Sequence, residues 1–547
     1  MKSTGNLVSH GYKFNSSFKK SAVYFSMEIA VDQALKTYSG GLGFLAGSHM
    51  RSAYELKQNL IGISMLWKFG YYDQGRKQDN SMSVDFREKF YHFLADTGVR
   101  EEMQISGHTV KVAAFYLAPE TFRTVPLLFL TTDIDGNDHW ARSLSYNLYD
   151  ADPQKKVAQG MILGIGGVKI LNALKIKPDV YHFNEAHAIS AAFELFKTFK
   201  KAAKLREKMV FTTHTPEEAG NEKHSFEFLY HMDFFAGLPA KTVRKLTGTE
   251  DDLFNHSLAA LRMSRKANGV SKLHGEVSRQ MWSHYRGVCE ITHITNAQQS
   301  LYWSDPVLKE AAEEKNAEQL IKRKRELKAE LFKTVADQVG KLFDPNVFTL
   351  VWARRFAAYK RPDLITREQE RFDKLLNNSK YPIQIIWAGK PYPQDHGAIN
   401  TFNSLYYKSH FYKNMAVLTG YELGLSKLLK LGSDGWLNNP VVTREASGTS
   451  GMSAAMNASI NISTDDGWIC EFATKKNSFV VPVAPADSEF MRDVTDQNNL
   501  LDVIEKILPM YYDKPDQWNK MVFQSMEDVL KYFDSDRMAA EYYEKLY

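Results

Sequence analysis

A group of cationic side chains follows a strand-like segment in the second half of the chain. The segment VFTLVWA ends at Ala353, and Arg354, Arg355 and Lys360 lie within the next seven residues. Parallel α/β sheets bind ligands beyond the carboxyl ends of their strands, and an arginine fork beside a lysine suits a phosphate or diphosphate. These residues therefore predict an anion site. The solvated start of a surface helix is the alternative, and the residues alone leave both open.

A loop of small polar residues precedes a helix-like segment further along the chain. It contains Glu445, Ser447, Gly448, Thr449, Ser450 and Gly451. Free backbone amides at the start of a helix form an anion-binding nest, and the Glu445 carboxylate can accept a hydrogen bond from a ligand hydroxyl. A plain helix-capping loop is the alternative interpretation.

A glycine-rich turn near the start of the chain matches a dinucleotide-binding pattern. Gly41, Gly43 and Ala46 give the spacing G-x-G-x-x-A, and Gly40 precedes them. Such glycines let backbone amides approach an anion closely at a helix N-terminus. About a dozen residues separate the pattern from the nearest strand-like segment, so a tight packing turn explains it better than an NAD site.

Three histidines lie at the ends of strand-like segments. His182 and His187 flank Glu185, but this spacing at a strand end differs from that of a zinc-binding helix. We therefore expect no metal site. His214 ends the segment MVFTTHT, where it forms either the wall of a cleft or part of the core.

Short apolar runs alternate with helical patterns along the chain, as in βαβ units with parallel sheets. Strands are expected at 23–29 and 382–390 and a helix at 155–176, while the Lys/Glu-rich segment 309–333 predicts a solvated amphipathic helix. We expect an α/β fold of two Rossmann-like domains facing a cleft. The expected parts are an N-terminal domain (1–320), a helical junction (321–344), a C-terminal domain (345–514) and C-terminal helices (515–547) that pack back on the N-terminal domain.

Composition narrows the class of protein. The 69 basic and 64 acidic side chains among 547 residues give a net charge of only +5, without the basic face of a nucleic-acid binder. Two cysteines cannot form a disulfide framework. The N-terminal residues 1–20 hold no signal-peptide core, and no stretch approaches the roughly 18 apolar residues of a membrane span. We expect a cytoplasmic protein.

Seven segments occur in one order between residues 24 and 468 and together resemble the α-glucan (glycogen) phosphorylase family, especially its short bacterial forms. They are YFSMEIAVDQALKTYSGGLGFLAG, LGIGGVKIL, PDVYHFNEAH, VFTTHTPEEAGN, ITNAQ, ARRFAAYKRPDL and WLNNPVVTREASGTSGMSAAMN, the last followed by DGW. The resemblance implies the two-Rossmann GT-B glycosyltransferase architecture. It also implies cleavage of α-1,4-glucans by phosphate, with pyridoxal phosphate as the family cofactor.

The resemblance further implies roles for the residues that match the family's motifs. The expected catalytic residues are His214, Arg355, Lys360 and Glu445. The expected substrate contacts are Gly40, Gly41, Gly43, Glu185, His187, Asn296, Ser447 and Gly448, with Glu185 and His187 on the acceptor side. The expected cofactor- or anion-binding residues are Arg354, Tyr421, Thr449, Ser450, Gly451 and Ser453.

The chain departs from the family at the cofactor position. Phosphorylases carry a lysine in the pattern G-M-K-x-x-M-N that forms a Schiff base with pyridoxal phosphate, whereas this chain has Ser453 there. A hydroxyl cannot form an imine with an aldehyde, so we expect no covalent pyridoxal phosphate. Related nucleotide-sugar transferases carry a second glutamate eight residues after the first, and Ser453 also takes that place after Glu445. Ala297 and Ala458 replace glycines that the family usually has.

The residues and the resemblance together predict a glycogen phosphorylase-like glucosyltransferase. Its substrates would be α-glucan or a related glucoside with phosphate or a sugar phosphate, and its mechanism would be retaining. One alternative is a nucleotide-sugar-dependent glucosyltransferase of the same architecture, and another is a non-catalytic glucan- or sugar-phosphate-binding relative. No nucleic-acid or membrane partner is expected, and the oligomeric state stays open, a homodimer included.

Overall fold

The computed structural model describes residues 12–484 and 488–547, and these residues form two compact units. The first unit comprises the chain up to Tyr72, Phe86–Asn296 and Ser535–Tyr547. The second unit comprises Asp73–Asp85 and Ala297–Asp534. Residues 1–11, over which the signal-peptide prediction partly extends, lie outside the described residues.

The strands are short and follow the apolar runs of the sequence. In chain order they are β1 (Ala22–Ser26), β2 (Leu60–Met65), β3 (Asp73–Arg76), β4 (Met82–Asp85), β5 (Ala95–Ile105), β6 (His108–Leu117), β7 (Leu127–Thr131), β8 (Val180–Asn184), β9 (Met209–Thr212), β10 (Lys223–Ser225), β11 (Leu253–Asn255), β12 (Lys266–Gly269), β13 (Glu290–His293), β14 (Phe348–Ala353), β15 (Ile383–Ala388), β16 (Met415–Leu418), β17 (Gly435–Asn438), β18 (Ile460–Thr464) and β19 (Ser478–Val481).

The helices fill most of the connections between these strands. In chain order they are α1 (Gly41–Glu55), α2 (Pro119–Phe122), α3 (His139–Ser143), α4 (Pro153–Met161), α5 (Gly167–Ala173), α6 (Ala191–Phe199), α7 (Ala202–Lys208), α8 (Phe226–His231), α9 (Ala240–Thr247), α10 (His256–Met263), α11 (Lys272–Trp282), α12 (Ser300–Trp303), α13 (Pro306–Glu313), α14 (Ala317–Val339), α15 (Gln369–Leu376), α16 (His396–Ser409), α17 (Leu423–Gly432), α18 (Ser450–Ala455), α19 (Ile469–Phe472), α20 (Glu489–Asp513), α21 (Pro515–Tyr532) and α22 (Ser535–Lys545). A π-helical turn, Ile162–Gly166, joins α4 to α5.

The first unit is built on a nine-stranded sheet in the order β13-β12-β9-β8-β1-β2-β7-β6-β5. All neighbouring strands are parallel except the pairs β5–β6 and β6–β7. Every residue of β1 and β8 is buried, as expected for central parallel strands that are covered on both faces.

The second unit is built on a six-stranded parallel sheet in the order β16-β15-β14-β17-β18-β19. Strand β14 alternates between two cores, because Phe348, Leu350 and Trp352 pack in one and Val351 and Ala353 in the other. The strand order reverses between β14 and β17. In open α/β sheets such a reversal leaves a crevice at the carboxyl ends of the strands, where ligands bind.

The hairpin of β3 and β4 packs on the second unit although it lies early in the chain. Gln74 donates a hydrogen bond to the carbonyl of Gly389 (2.9 Å) and accepts one from the amide of Gly420 (3.0 Å). This amide side chain therefore ties together the loops that follow β15 and β16.

The α/β fold class with two Rossmann-like parts is confirmed. The bounds of the compact units differ from the predicted domains, since α14 crosses the predicted junction inside the second unit and α21 also belongs to that unit, while α22 belongs to the first. The 309–333 segment divides into α13 and α14, and Lys324 and Lys328 on α14 are buried. Within residues 12–484 and 488–547, no helix has both the length and the apolar character that a membrane crossing needs.

Candidate functional site

A buried cluster of opposite charges lies where β14 ends in the second unit. Arg354 Nη2 and Lys360 Nζ both donate to the same oxygen of Glu445, Oε2, at 2.8 and 2.9 Å. Burial alone would raise the pKa of Glu445, but Lys360 and Arg354 outweigh it and hold that pKa at about 2. The cluster thus has two cations for one carboxylate that stays ionised.

The Arg354 guanidinium keeps unused donors. Its side chain is only 6% exposed, and among the described residues neither Nε nor Nη1 has a hydrogen-bond partner. The hydroxyl of Ser447 and Oδ1 of Asn438 at the end of β17 are likewise buried without a partner. Leaving such groups unsatisfied costs free energy, so the cluster is suited to a ligand with acceptor oxygens and hydroxyl groups.

The loop that carries Glu445 is held by the segment after β18. Asp466 Oδ2 accepts a hydrogen bond from the backbone amide of Glu445 (2.9 Å). The carbonyl of Ser447 accepts one from the backbone amide of Trp468 (2.9 Å). Gly448 has a φ of 85°, a conformation that favours glycine. Burial raises the pKa of Asp466 to about 7. Asp466 is a positioning residue that the sequence analysis did not name as a site residue, and its place in the DGW segment, two residues after β18, was the available signal.

Arg355 and Tyr421 lie at the same edge of the sheet. Arg355 is exposed, and its positive charge contributes to the low pKa of Glu445, whereas the buried Arg354 makes the direct contact. The Tyr421 hydroxyl donates to the carbonyl of Ala353 at 3.2 Å, and burial raises its pKa to about 12. The structure therefore brings Arg354, Lys360 and Glu445 into direct contact, with Arg355 and Tyr421 at the same edge of the sheet.

Ser453, where the family lysine would stand, is fully buried on the short helix α18. Its hydroxyl contacts the carbonyl of Ser450 at 3.3 Å within the helix. Asn457 donates to the Ser453 carbonyl (2.8 Å), and Lys324 caps the Asn457 carbonyl (2.6 Å). The side chain at position 453 is a hydroxyl and not an amine. It therefore cannot form the imine by which pyridoxal phosphate would be covalently attached.

The start of α18 is tightly packed. Ser450 accepts a hydrogen bond from the indole of Trp436 at 3.3 Å. A Cβ atom at Gly451 would come within 2.3 Å of Asn461 and 2.9 Å of Trp468, so only glycine fits there. Thr449 is the residue immediately before α18, and the loop and helix are thus fixed in one arrangement beside the charged cluster.

In the first unit, Glu185 and His214 are in direct contact at the ends of β8 and β9. The Glu185 carboxylate accepts hydrogen bonds from the backbone amide of His214 and from the hydroxyl of Thr215, the latter at 3.3 Å. Glu185 itself has a φ of 69°, which strains a non-glycine residue. Burial lowers the pKa of His214 to about 3, so its ring is neutral, and Nε2 lies 2.7 Å from Oδ1 of Asn184.

The glycine-rich turn before α1 already binds a carboxylate of the first unit. The amides of Ser39 and Gly40 donate to Glu28 Oε2 at 2.5 and 3.2 Å, and the Tyr149 hydroxyl donates to Oε1 at 2.7 Å. Gly43 is required for packing, because a Cβ there would lie 2.5 Å from Cβ of Tyr38. Gly41 begins the helix. Glu28 was missed from sequence, although it too follows a buried strand.

His187 and Asn296 are also placed in the first unit. His187 lines a cavity together with Tyr149, Lys156, Glu222 and His256, and its buried Nδ1 has no partner among the described residues. Lys156 and Glu222 form an ion pair of 3.2 Å in this cavity. Asn296 is buried, and its backbone amide donates a hydrogen bond to the carbonyl of Val270 (2.9 Å). Among the described residues no group of His, Cys, Asp and Glu could hold a metal ion.

No protein-family model matches the chain. An uncharacterised protein of Methanocaldococcus jannaschii is 45% identical, with 96% of this chain and 100% of that protein covered. Maltodextrin phosphorylase of Thermococcus litoralis is 31% identical, with 97% of this chain and 71% of the relative covered. Glycogen phosphorylase of Aquifex aeolicus is 29% identical, covering 98% and 87%.

Two Rossmann-like units are the parts of which the GT-B architecture is made, and both are present here. The similarity to maltodextrin and glycogen phosphorylases extends over nearly the whole chain. The chain therefore belongs to the α-glucan (glycogen and maltodextrin) phosphorylase family.

Proposed function

We propose that this protein is a retaining glucosyltransferase that acts on an α-glucan or a related glucoside together with phosphate or a sugar phosphate. The observation that carries the proposal is the cluster of Arg354, Lys360 and Glu445, in which two nitrogens of a buried guanidinium, Nε and Nη1, have no partner among the described residues. The names of the phosphorylase relatives support the same reaction class.

In this proposal the second unit binds the reacting phosphate. Arg354 Nε and Nη1 and the Lys360 ammonium would donate to its oxygens and neutralise their charge. Because these donors are buried and already oriented, they would stabilise charge that develops in the transition state without reorganising. Ser447 and the ionised Glu445 would hold hydroxyl groups of the sugar.

The retaining mechanism that we propose does not pass through a covalent glycosyl-enzyme. None of the residues that meet at Glu445 is placed as a nucleophile toward a sugar, because the carboxylate is engaged by two cations. We therefore favour departure and attack of phosphate on the same face of the sugar over a covalent glycosyl-enzyme. The phosphate would lie beside the reacting carbon and balance its positive charge.

Pyridoxal phosphate, the family cofactor, has no part in this proposal. Position 453 carries a hydroxyl that contacts a helix carbonyl, and a hydroxyl does not form an imine. The residues that act in our proposal are those of the charged cluster and its supporting loop.

Calorimetric titration with inorganic phosphate tests the proposed anion site. Lys360→Ala should weaken phosphate binding by roughly 1.5–3 kcal/mol, or about ten- to hundredfold, the range for a charge-assisted hydrogen bond. Lys333→Ala is the matched control, because Lys333 is exposed and forms an ion pair with Glu330 away from the cluster. Equal affinity in Lys360→Ala and the wild type would reject the assignment.

The reaction itself is tested by incubating the wild type with glycogen and phosphate. Release of glucose 1-phosphate, lost in Lys360→Ala and retained in Lys333→Ala, is the expected result. Phosphate binding without any release would instead support a binding protein that performs no transfer.

A nucleotide-sugar-dependent glucosyltransferase is the second candidate. It is favoured by the absence of the cofactor lysine at position 453, although Ser453 also replaces the second glutamate of those transferases. Without an amine at this position the family cofactor has no covalent anchor, and the two cations would suit a leaving diphosphate equally well. Transfer of glucose from UDP-glucose or ADP-glucose, with no release of glucose 1-phosphate from glycogen, would establish this alternative.

A further inference from the structure

The two oxygens of the Glu445 carboxylate are in different situations. Oε2 accepts from both Arg354 and Lys360. Oε1 accepts no hydrogen bond from the described residues, and the side chain is 13% exposed. One oxygen is therefore engaged with cations, and the other is available to a ligand.

The Glu445 carboxylate opposes binding of an anion to the cluster. A phosphate at Arg354 and Lys360 needs the same positive charges that the carboxylate now neutralises. It would also lie within a few ångströms of a like charge, and such charges repel strongly where water is largely excluded. The carboxylate thus competes with the anion for the two cations.

A hydroxyl group that donates to Oε1 changes this balance. It withdraws negative charge from the carboxylate, which weakens the attraction of Oε2 for the two cations and the repulsion of a nearby anion. The chemistry that fits is a sugar hydroxyl, because it donates a hydrogen bond without bringing a charge into the cluster.

We propose that Glu445 is a counter-ion that couples the two ligands, so that a sugar bound at Oε1 strengthens the binding of phosphate at Arg354 and Lys360. The inference rests on the proposed function, which assigns phosphate to these cations. Because binding couplings are reciprocal, phosphate strengthens sugar binding by the same factor. Neither ligand alone would bind as well as the pair.

Calorimetry on the full chain tests this coupling with inorganic phosphate and glucose as probes. In the wild type, saturating glucose should raise the phosphate affinity about fivefold or more, a typical coupling. In Glu445→Gln, which keeps the shape but not the charge, phosphate should bind about tenfold tighter without glucose. Glucose should then have little further effect on phosphate binding.

Glu330→Gln is the matched control, because it removes one negative charge from an exposed pair with Lys333 in the same unit. It should bind phosphate like the wild type, and thermal melting of both variants would verify that they are folded. The glucose effect in the wild type needs no variant, so it tests the coupling even where Glu445→Gln fails to fold.

The two possible failures are distinguishable. Phosphate binding that Lys360→Ala weakens, but that neither glucose nor Glu445→Gln changes, would overturn the coupling alone. Absence of phosphate binding in the wild type would overturn the proposed function and the coupling together.

Discussion

Each of the two units places a glutamate beside a loop of small residues at the start of a helix, yet the two loops differ in which hydrogen-bond donors have no partner among the described residues. In the first unit, the Glu28 carboxylate accepts hydrogen bonds from the backbone amides of Ser39 and Gly40, so these amides are not available to an anion. In the second unit, Glu445 accepts hydrogen bonds from two side-chain cations, and two nitrogens of Arg354, Nε and Nη1, have no partner among the described residues. Surplus donors, rather than the small-residue pattern itself, indicate where an anion can bind.

The largest effect is expected from removing the internal carboxylate of the first unit. Glu28→Ala would leave two backbone amides and the Tyr149 hydroxyl without their acceptor. We expect the free energy of unfolding to fall by about 3–4 kcal/mol, since each donor left unsatisfied costs about 1–3 kcal/mol and these partly buried donors lie at the low end of that range. Urea unfolding followed by circular dichroism measures this loss.

Glu28→Gln is the matched control, because it keeps one acceptor oxygen and should lose only about 1–2 kcal/mol. A loss below 1 kcal/mol in Glu28→Ala would mean that the glycine-rich turn does not depend on this carboxylate. The contrast with the second unit would then disappear.

The next effect concerns Asp466, which supports the Glu445 loop. Its pKa in the folded protein, about 7, lies above the ordinary value of 3.8 for an aspartate because the side chain is buried, so folding favours its protonated form. Its contribution to stability is therefore fully present below about pH 4 and is lost as the pH rises through about 7, with a slope of at most about 1.4 kcal/mol per pH unit.

Asp466→Asn should remove this part of the pH dependence between pH 5 and 8. It should also weaken the loop, because a side-chain amide group cannot accept both backbone N–H groups that Asp466 accepts, from Glu445 and Gly467. Unfolding in urea at a series of pH values compares the two proteins. Parallel curves for both would argue against a titrating Asp466.

A smaller effect on stability, but a clear one on binding, is expected for Arg354. Arg354→Met should weaken phosphate binding by roughly 1.5–3 kcal/mol. It should change the free energy of unfolding by less than Glu28→Ala does, because it also removes two buried nitrogens, Nε and Nη1, that have no partner within the described part of the chain. Calorimetry and thermal melting measure the two quantities, and the reverse order of the two stability losses would contradict the comparison above.

The sequence predicted the core of the fold better than its edges. The strand expected at 382–390 exists as β15, and the helix expected at 155–176 exists as α4, a π-turn and α5. The strand expected at 23–29 ends at Ser26, and the residues after it bring Glu28 to the glycine-rich turn. Alternation of apolar runs indicates the elements, but it does not show where the chain must bend to satisfy a buried carboxylate.

The site was only partly predictable, for a related reason. Motifs pointed to Lys360 and Glu445, but the contacts of Glu28 with Tyr149 and of Asp466 with the Glu445 loop join residues far apart in the chain. Lys324 shows the same limit, because a lysine-rich helix predicts solvent exposure. Its ammonium is instead buried on the carbonyls of Leu431 and Asn457.

The smallest effect is expected from restoring the family lysine, since Ser453→Lys should not by itself give phosphorylase activity. Position 453 is fully buried, with Asn457 bonded to its carbonyl and Trp303, so a longer side chain would overpack the helix at a cost of about 1–3 kcal/mol. An imine also requires a deprotonated amine and an open slot for the cofactor ring. We therefore expect no imine absorbance with pyridoxal phosphate, and no pyridoxyl-lysine after borohydride reduction, in the variant or the wild type. The variant should also release no more glucose 1-phosphate than the wild type does.

If Ser453→Lys instead binds the cofactor covalently and gains phosphorolysis of glycogen, the pocket around α18 is an intact cofactor site that lacks one residue. The charged cluster would then be one half of an inherited site rather than a phosphate site that works on its own.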